Sequence, residues 1–239
     1  MKLFEGKKPL FIAHRGFTPV APEKSLISFA EAAKRKYWAI ETDVHSTKDG
    51  VLVCCHDSSL LRTYGVDVVI EETKYEELNK YYINNGNNVE KYDADMLRIP
   101  LFEEYLTICK ENNCVPFIET KGKVVPQVLD IVEKMGLTER SVLSSCDFEH
   151  IVKARSLSNI FVHHIFSDFD KCLEISKMGN GGLSYNYPDL DDLPDGLIEE
   201  THKAGVKVCL RAGDNEETVQ RMIKLGLDYI PTNCTEPKE

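Results

Sequence analysis

Short apolar runs and amphipathic segments alternate along most of the chain. Residues 10–13 are apolar throughout, which is typical of a strand that is buried on both faces. Residues 26–34 instead place apolar side chains at positions 26, 29, 30 and 33, the spacing of one helix face. The two patterns recur toward the end of the chain, so the sequence predicts strands and helices in regular succession.

Eight apolar runs are predicted to be the strands of one sheet. They begin at Leu10, Trp38, Val115, Ser141, Ile160, Gly182, Val206 and Tyr229. The predicted helices cover residues 26–34, 99–109, 124–135, 148–157, 169–178, 194–204 and 216–225. An eightfold alternation favours a closed barrel over an open sheet, and 239 residues suit one barrel. We therefore expect an α/β fold with a single domain, residues 1–239.

One region interrupts this alternation. The turn signal Lys48-Asp49-Gly50 predicts a hairpin whose second strand ends at His56. Residues 58–98 follow, with five tyrosines among charged side chains and a polar break at 84–88. Two interpretations are open: a solvated loop with a brief helix near residues 75–82, or a small cap that contacts the substrate.

Polar side chains lie where the first predicted strands end. His14 and Arg15 directly follow the first strand, and the carboxyl ends of parallel strands carry the active site in α/β folds. Glu41 and Asp43 share one face of the second strand. Two buried carboxylates repel each other and lose hydration, so they are tolerable mainly with a cation between them. Ligation by oxygen alone favours a hard ion, Mg²⁺ or Ca²⁺.

A later strand repeats this arrangement, since Glu119 and Lys121 share one of its faces. Each feature also has an ordinary structural interpretation. A Glu-x-Asp pair occurs on surface strands, a Glu-x-Lys pair is commonly an exposed ion pair, and a single histidine is often structural. The coincidence of these groups at the ends of predicted core strands favours one common site.

The composition limits the class of partner. The chain has 29 Lys and Arg against 39 Asp and Glu, a net charge of −10, which argues against nucleic acid as the main partner. An anionic small molecule then needs a local positive site, which a metal ion with Arg15 and Lys121 would supply. No apolar run approaches the length of a membrane span, and residues 1–8 lack a signal-peptide core. We expect a cytoplasmic protein with reduced cysteines and no stable membrane association.

The motifs, taken in order, resemble the glycerophosphodiester phosphodiesterase family. The family pattern is His-Arg-Gly, Pro-Glu-Asn-Thr, Glu-x-Asp-Val, Thr-Lys-Asp-Gly and His-Asp, with Glu-x-Lys later. This chain has His14-Arg15-Gly16, Pro22-Glu23-Lys24-Ser25, Glu41-Thr42-Asp43-Val44, Thr47-Lys48-Asp49-Gly50, His56-Asp57 and Glu119-Thr120-Lys121. The resemblance extends over essentially the whole chain.

This resemblance implies a (β/α)8 TIM barrel with a short insertion after the second strand. It also implies that Glu41, Asp43 and Glu119 are the metal ligands, and that His14 and His56 form an acid–base pair. The family equivalent of Glu23 lines the substrate site. An acidic residue is also favoured near a helix N-terminus for electrostatic reasons alone, so Glu23 keeps both interpretations.

The expected reaction is metal-dependent hydrolysis of glycerophosphodiesters, such as glycerophosphocholine or glycerophosphoethanolamine, to sn-glycerol 3-phosphate and an alcohol. The attacking oxygen is either the adjacent glycerol hydroxyl, which gives a cyclic intermediate, or water. Two other functions stay open: a lyase of the phospholipase D-like toxin type, and a barrel that binds phosphate ligands without catalysis.

Four residues, in three parts of the chain, depart from the family pattern. Lys24 and Ser25 stand where Asn-Thr is usual, and we expect a changed loop hydrogen bond but intact metal ligands. Arg211 follows the seventh strand, which usually carries an aromatic residue, and we expect it to form a salt bridge at the rim or to reach an anionic group. Asn233 replaces the usual Asp, which removes one charge near the barrel mouth and is expected to shift headgroup preference.

Overall fold

Eight parallel strands form the centre of the computed structural model, which describes residues 3–4, 9–210 and 213–237. They are β1 (Leu10–Ala13), β2 (Ala39–Ser46), β4 (Val115–Thr120), β5 (Val142–Ser145), β6 (Phe161–Ser167), β7 (Gly181–Tyr185), β8 (Lys207–Leu210) and β9 (Tyr229–Thr232). They pair in the order β8-β7-β6-β5-β4-β2-β1-β9. The Asp228 N–H donates to the Val208 carbonyl at 3.0 Å, so the two ends of this path meet. The predicted (β/α)8 barrel is confirmed.

Helices connect the strands on the outside of this barrel. The longer ones are α1 (Leu26–Lys34), α4 (Phe102–Glu111), α5 (Val125–Lys134), α6 (Phe148–Leu157), α7 (Phe169–Met178), α8 (Leu197–Lys203) and α9 (Glu216–Lys224). The predicted bounds of α6 and α7 are confirmed, and Ser25 caps α1 by accepting the Ser28 N–H at 3.1 Å. None of the helices in the described ranges is long and apolar enough to cross a membrane.

Two predicted helix starts were wrong. The helix predicted from residue 99 begins at Phe102, because Leu101 is extended and the Pro100 carbonyl accepts the Cys54 N–H at 2.9 Å. The helix predicted from residue 194 begins at Leu197, because Gly196 has the left-handed φ of +79° and stands just before the first turn.

Strand alternation sends successive side chains to opposite sides of the barrel wall. Phe11, Ala13 and Ile40 belong to the large apolar cluster between the strands and the helices. Leu10, Ile12 and Ala39 belong to a separate cluster, which also includes Phe117, Phe161 and Tyr229, on the other face of the sheet. Glu41 and Asp43 continue the face of Ala39 toward the carboxyl end of β2. The packing of the apolar residues therefore aims both carboxylates into the barrel.

The predicted hairpin is present, and a folded segment follows it. Strand β3 (Leu52–Cys54) pairs antiparallel with the end of β2. Residues 58–98, here called the cap segment, contain the short helices α2 (Leu61–Tyr64) and α3 (Tyr75–Leu78). Their buried side chains form an apolar cluster with residues of the hairpin and of α1: Leu60, Tyr64, Ile70, Leu78, Ile83 and Leu97 with Val53, Cys55 and Ile27. The interpretation as a solvated loop is therefore wrong, while the brief helix near residue 75 is confirmed.

The Tyr105 hydroxyl ties α4 to the two strands that carry the predicted metal ligands. It donates to the Ile40 carbonyl of β2 at 2.6 Å and accepts the Phe117 N–H of β4 at 3.0 Å. The hydroxyl thus lies between these two backbone groups and links the neighbouring strands β2 and β4. Tyr105 itself is fully buried.

Replacing Tyr105 with Phe should destabilise the fold, because two buried backbone groups then lose their partner while the ring packing is kept. We expect the free energy of unfolding to fall by about 2–4 kcal/mol, measured by urea denaturation. Tyr82→Phe is the matched control: Tyr82 is 40 % exposed, and its loss should change stability by less than about 0.5 kcal/mol. Equal stabilities of the two variants would contradict this role of Tyr105.

Candidate active site

Three carboxylates converge inside the carboxyl end of the barrel. Glu41 and Asp43 come from β2 and Glu119 from β4, where the register places Asp43 directly beside Glu119. One oxygen from each carboxylate lies within 4.8 Å of the others. Glu41 and Asp43 are buried, and Glu119 is partly buried. We call these three residues the acidic cluster; its convergence matches the sequence prediction.

Two lysine ammonium groups lie on the acidic cluster. Lys24 Nζ is 2.9 Å from both carboxylate oxygens of Glu41 and 2.6 Å from Asp43 Oδ2. Lys121 Nζ is 3.0 Å from Asp43 Oδ1 and also contacts Glu119. The expected proximity of Lys121 to the carboxylates is observed. Lys24 was expected to change only a loop hydrogen bond, but its side chain also reaches two of the predicted ligands.

The electrostatics of the acidic cluster follow from these contacts. Burial opposes ionisation of Asp43, but the ammonium groups of Lys24 and Lys121 hold its pKa well below the usual range. Burial, reinforced by the charge of Asp43, raises the pKa of Glu119. The donor set is therefore all oxygen and anionic, which fits a hard divalent cation, although two ammonium groups compete for the same oxygens.

The turn after β1 is built to present His14 and Arg15 beside this cluster. Arg15 has a left-handed φ of +65°, and its N–H donates to Glu41 Oε2 at 2.8 Å. Gly16 follows with φ of +82°, and a Cβ at this position would overlap Ser28 of α1. The His-Arg-Gly sequence thus meets a steric demand as well as a chemical one.

An amide fixes the orientation of His14. The Asn233 side-chain nitrogen donates to Asp214 Oδ2 at 2.6 Å, so the amide oxygen faces His14 Nδ1 at 2.8 Å and accepts a hydrogen bond from it. A neutral His14 ring then carries its proton on Nδ1 and leaves Nε2 as the acceptor. Burial lowers the pKa of His14. Sequence reasoning missed Asp214, although its position in the loop after the seventh barrel strand was a signal for it. Arg211, three positions earlier in the sequence, lies outside the described residues.

A chain of charged side chains holds His56. Its Nδ1 is 2.6 Å from Asp57 Oδ1, and Asp57 accepts Arg62 Nε at 2.5 Å. Arg62 Nη2 donates in turn to Glu23 at 2.6 Å, and Glu23 accepts Arg15 Nη1 at 3.1 Å. The structure therefore joins three predicted residues, His56, Glu23 and Arg15, through one that sequence reasoning missed. Arg62 belongs to the cap segment, where no motif singled it out.

His56 is also adjacent to the acidic cluster. The N–H of Cys55, its neighbour in the chain, donates to the Asp43 carbonyl at 3.1 Å. The hairpin therefore returns His56 to the end of β2, as predicted. The two histidines lie in different networks, one ending on the amide of Asn233 and the other on the carboxylate of Asp57.

Two cavities adjoin at His14 and Asn233, which line both of them. One, of about 290 Å³, occupies the barrel mouth and is lined by Glu41, Glu119 and Phe166 among others. The second, of about 340 Å³, lies against the cap segment and is lined by Arg15, Glu23 and Arg62 with Thr63 and residues 85–87. Volumes of this size suit a small molecule. The cap segment therefore contributes directly to the wall of the candidate site.

A closed α/β barrel with acidic, basic and histidine side chains at the carboxyl ends of its strands is the architecture of a barrel enzyme. The sequence also matches the model of the Glycerophosphoryl diester phosphodiesterase family over residues 14–236. The chain belongs to that family.

Relatives of this family cover nearly the whole chain. A glycerophosphodiester phosphodiesterase of Caldanaerobacter subterraneus subsp. tengcongensis is 29% identical over 96% of each chain. A solved structure of a putative glycerophosphoryl diester phosphodiesterase from Silicibacter pomeroyi superposes with a TM-score of 0.82 at 21% identity, over 97% of this chain and 93% of that one. A phosphodiesterase of Oleispira antarctica, solved in complex with the product sn-glycerol-3-phosphate, superposes with a TM-score of 0.80 at 21% identity, over 94% of this chain and 93% of that one.

Proposed function

We propose that this protein hydrolyses water-soluble glycerophosphodiesters, such as glycerophosphocholine or glycerophosphoethanolamine, to sn-glycerol 3-phosphate and the alcohol. The observation that carries the proposal is the acidic cluster with His14 and His56 beside it at the barrel mouth. Membership of the family supports the reaction class, and the Oleispira antarctica relative with sn-glycerol-3-phosphate bound supports the product.

Glu41, Asp43 and Glu119 would hold the metal ion, Mg²⁺ or Ca²⁺. Such an ion would supply positive charge that neutralises the phosphate and favours ionisation of the attacking hydroxyl. Arg15 presents a planar guanidinium suited to two phosphate oxygens, and Glu23 holds that group at 3.1–3.2 Å. Lys121 adds a second positive charge at the edge of the acidic cluster. Glu23 thus acts in substrate binding by positioning Arg15.

The different partners of the two histidines support different roles for them. His14 has a neutral amide on Nδ1 and a pKa lowered by burial, so its Nε2 is suited to take a proton from the attacking oxygen. His56 has the Asp57 carboxylate on Nδ1, which fixes the orientation of the ring, and we propose it as the group that gives a proton to the leaving alcohol. The attacking oxygen is the adjacent glycerol hydroxyl or water. Trapping a cyclic glycerol phosphate would establish the first route.

We also propose that the protein is cytoplasmic. All eight cysteines are free, as is usual in a reducing compartment. The net charge of −10 opposes approach to an anionic leaflet, which favours substrates that dissolve in water over lipids drawn from a bilayer.

Turnover of glycerophosphocholine is the test of this function. With Mg²⁺ or Ca²⁺ added, we expect sn-glycerol 3-phosphate and choline, and a kcat/KM roughly 10-fold or more above that for lysophosphatidylcholine, whose acyl chain must be withdrawn from a micelle or bilayer. Glu119→Gln, which removes one proposed ligand, is the inactive control. Failure to cleave either glycerophosphodiester with any divalent ion would refute the function. A preference for the lysolipid would redirect attention to the exposed apolar residues of the cap segment: Leu61, Val69, Tyr82 and Met96.

Removing either histidine should lower kcat strongly. We expect a loss of roughly 10²–10⁴ in each of His14→Ala and His56→Ala, the usual contribution of a general acid or base. Because the two act in one proton-transfer cycle, the double variant should lose far less than the product of the single losses. His202→Ala is the control, since His202 contacts Asp228 at the opposite end of the strands. A fully multiplicative double variant would instead indicate independent roles.

A further inference from the structure

Lys24 places a positive charge between two of the proposed metal ligands. Its side chain is buried, with the residue only 3% exposed, and its ammonium lies within 2.9 Å of both oxygens of Glu41 and within 2.6 Å of Asp43. A divalent ion bound by these carboxylates takes up positions about 2.0–2.6 Å from the same oxygens. The ammonium and the ion therefore require the same space.

The backbone holds Lys24 in this position. The residue has a left-handed φ of +57°, a conformation that is unfavourable for lysine and much better tolerated by Asn. The Lys24 N–H donates to the Arg15 carbonyl at 3.1 Å, and the next residue caps α1. Since both ends of the residue are fixed and its surroundings are buried, the side chain is directed inward. The ion pairs with Glu41 and Asp43 offset the backbone strain.

The charge of the site also indicates that Lys24 and a divalent ion cannot both occupy the acidic cluster. The acidic cluster carries three carboxylates, and the ammonium groups of Lys24 and Lys121 contact it. A divalent ion that enters while Lys24 stays would meet a like charge a few ångströms away in a site with little water, which is strongly unfavourable. An ion that displaces Lys24 must leave an ammonium without its buried partners, which is also unfavourable.

We propose that Lys24 is a resident cation of the acidic cluster, so that a divalent metal binds weakly and only by displacing its ammonium group. This inference rests on the proposed metal site of the proposed function. It makes Lys24 a residue that sets the affinity for metal. Lys121, which contacts Asp43 and Glu119 at the more exposed side of the cluster, leaves the oxygens of Glu41 untouched.

Mn²⁺ binding tests the proposal without substrate. Free Mn²⁺ is counted by electron paramagnetic resonance in titrations of the wild type, Lys24→Asn and Lys207→Asn. The last variant removes an equal charge from the other end of the barrel, where Lys207 pairs with Asp228. We expect Lys24→Asn to bind Mn²⁺ at least roughly 10-fold more tightly than the wild type, with Lys207→Asn unchanged. The melting temperature should rise with Mn²⁺ in Lys24→Asn far more than in the wild type.

Three results would overturn the proposal. One is micromolar Mn²⁺ binding by the wild type that Glu119→Gln abolishes, a result that requires no Lys24 variant to fold. Another is a folded Lys24→Asn that binds Mn²⁺ as weakly as the wild type. If Lys24→Asn is unfolded in EDTA, Mn²⁺ should refold it at concentrations that leave the wild type unchanged, and failure to do so is the third. If the wild type fails to turn over glycerophosphocholine, the proposed function is refuted, but the Mn²⁺ titrations still test the role of Lys24.

Discussion

The pairing of buried negative charge with positive charge is the constraint on which this structure depends. Three carboxylates stand on two neighbouring strands inside a barrel, and such a group is tolerable only when cations satisfy it. Here Lys24 and Lys121 do so, at 2.6–3.0 Å from Asp43. The register of β2 and β4, the hydroxyl of Tyr105 across them and the left-handed turn at Arg15 all serve to hold these charges in one place.

The charge of the neighbouring groups also distinguishes the two histidines of the site. His14 is oriented by a neutral amide, and His56 by a carboxylate that is itself tied to Arg62 and Glu23. The two imidazoles are therefore oriented by partners of different charge. The barrel positions both rings, and their partners come from different places: Asn233 follows β9, and Asp57 follows the hairpin.

Much of this arrangement could be predicted from the sequence, for physical reasons. Buried parallel strands leave continuous apolar runs, so all eight were found, and the period of two along a strand placed Glu41 and Asp43 on one face. The ends of parallel strands share one edge of the barrel, so the convergence of Glu119 with these two residues followed. Helix starts were less predictable, since Pro100 and Gly196 act through local backbone geometry rather than through periodicity.

What could not be predicted depends on side chains that cross between elements. Lys24 reaches Glu41 through a flexible stem and across 17 positions of sequence, and only the backbone at residue 24 decides which way it points. Arg62 and Asp214 lie in segments without periodicity. The position of Asp214 after a barrel strand places it near the site, but no pattern predicts its contact with Asn233 or that of Arg62 with Asp57. The cap segment folds around a small apolar cluster whose residues have no regular spacing in the sequence, so it was not predicted.

The position of the ammonium group of Lys24 can be observed directly. Crystals of the wild type and of Lys24→Asn soaked in the same low concentration of MnCl₂ would be measured at a wavelength where Mn scatters anomalously. The account predicts an anomalous peak among Glu41, Asp43 and Glu119 in the variant, and in the wild type the Lys24 side chain between Glu41 and Asp43 with no such peak. An equally strong peak in the wild type, with Lys24 turned away from the carboxylates, would contradict it.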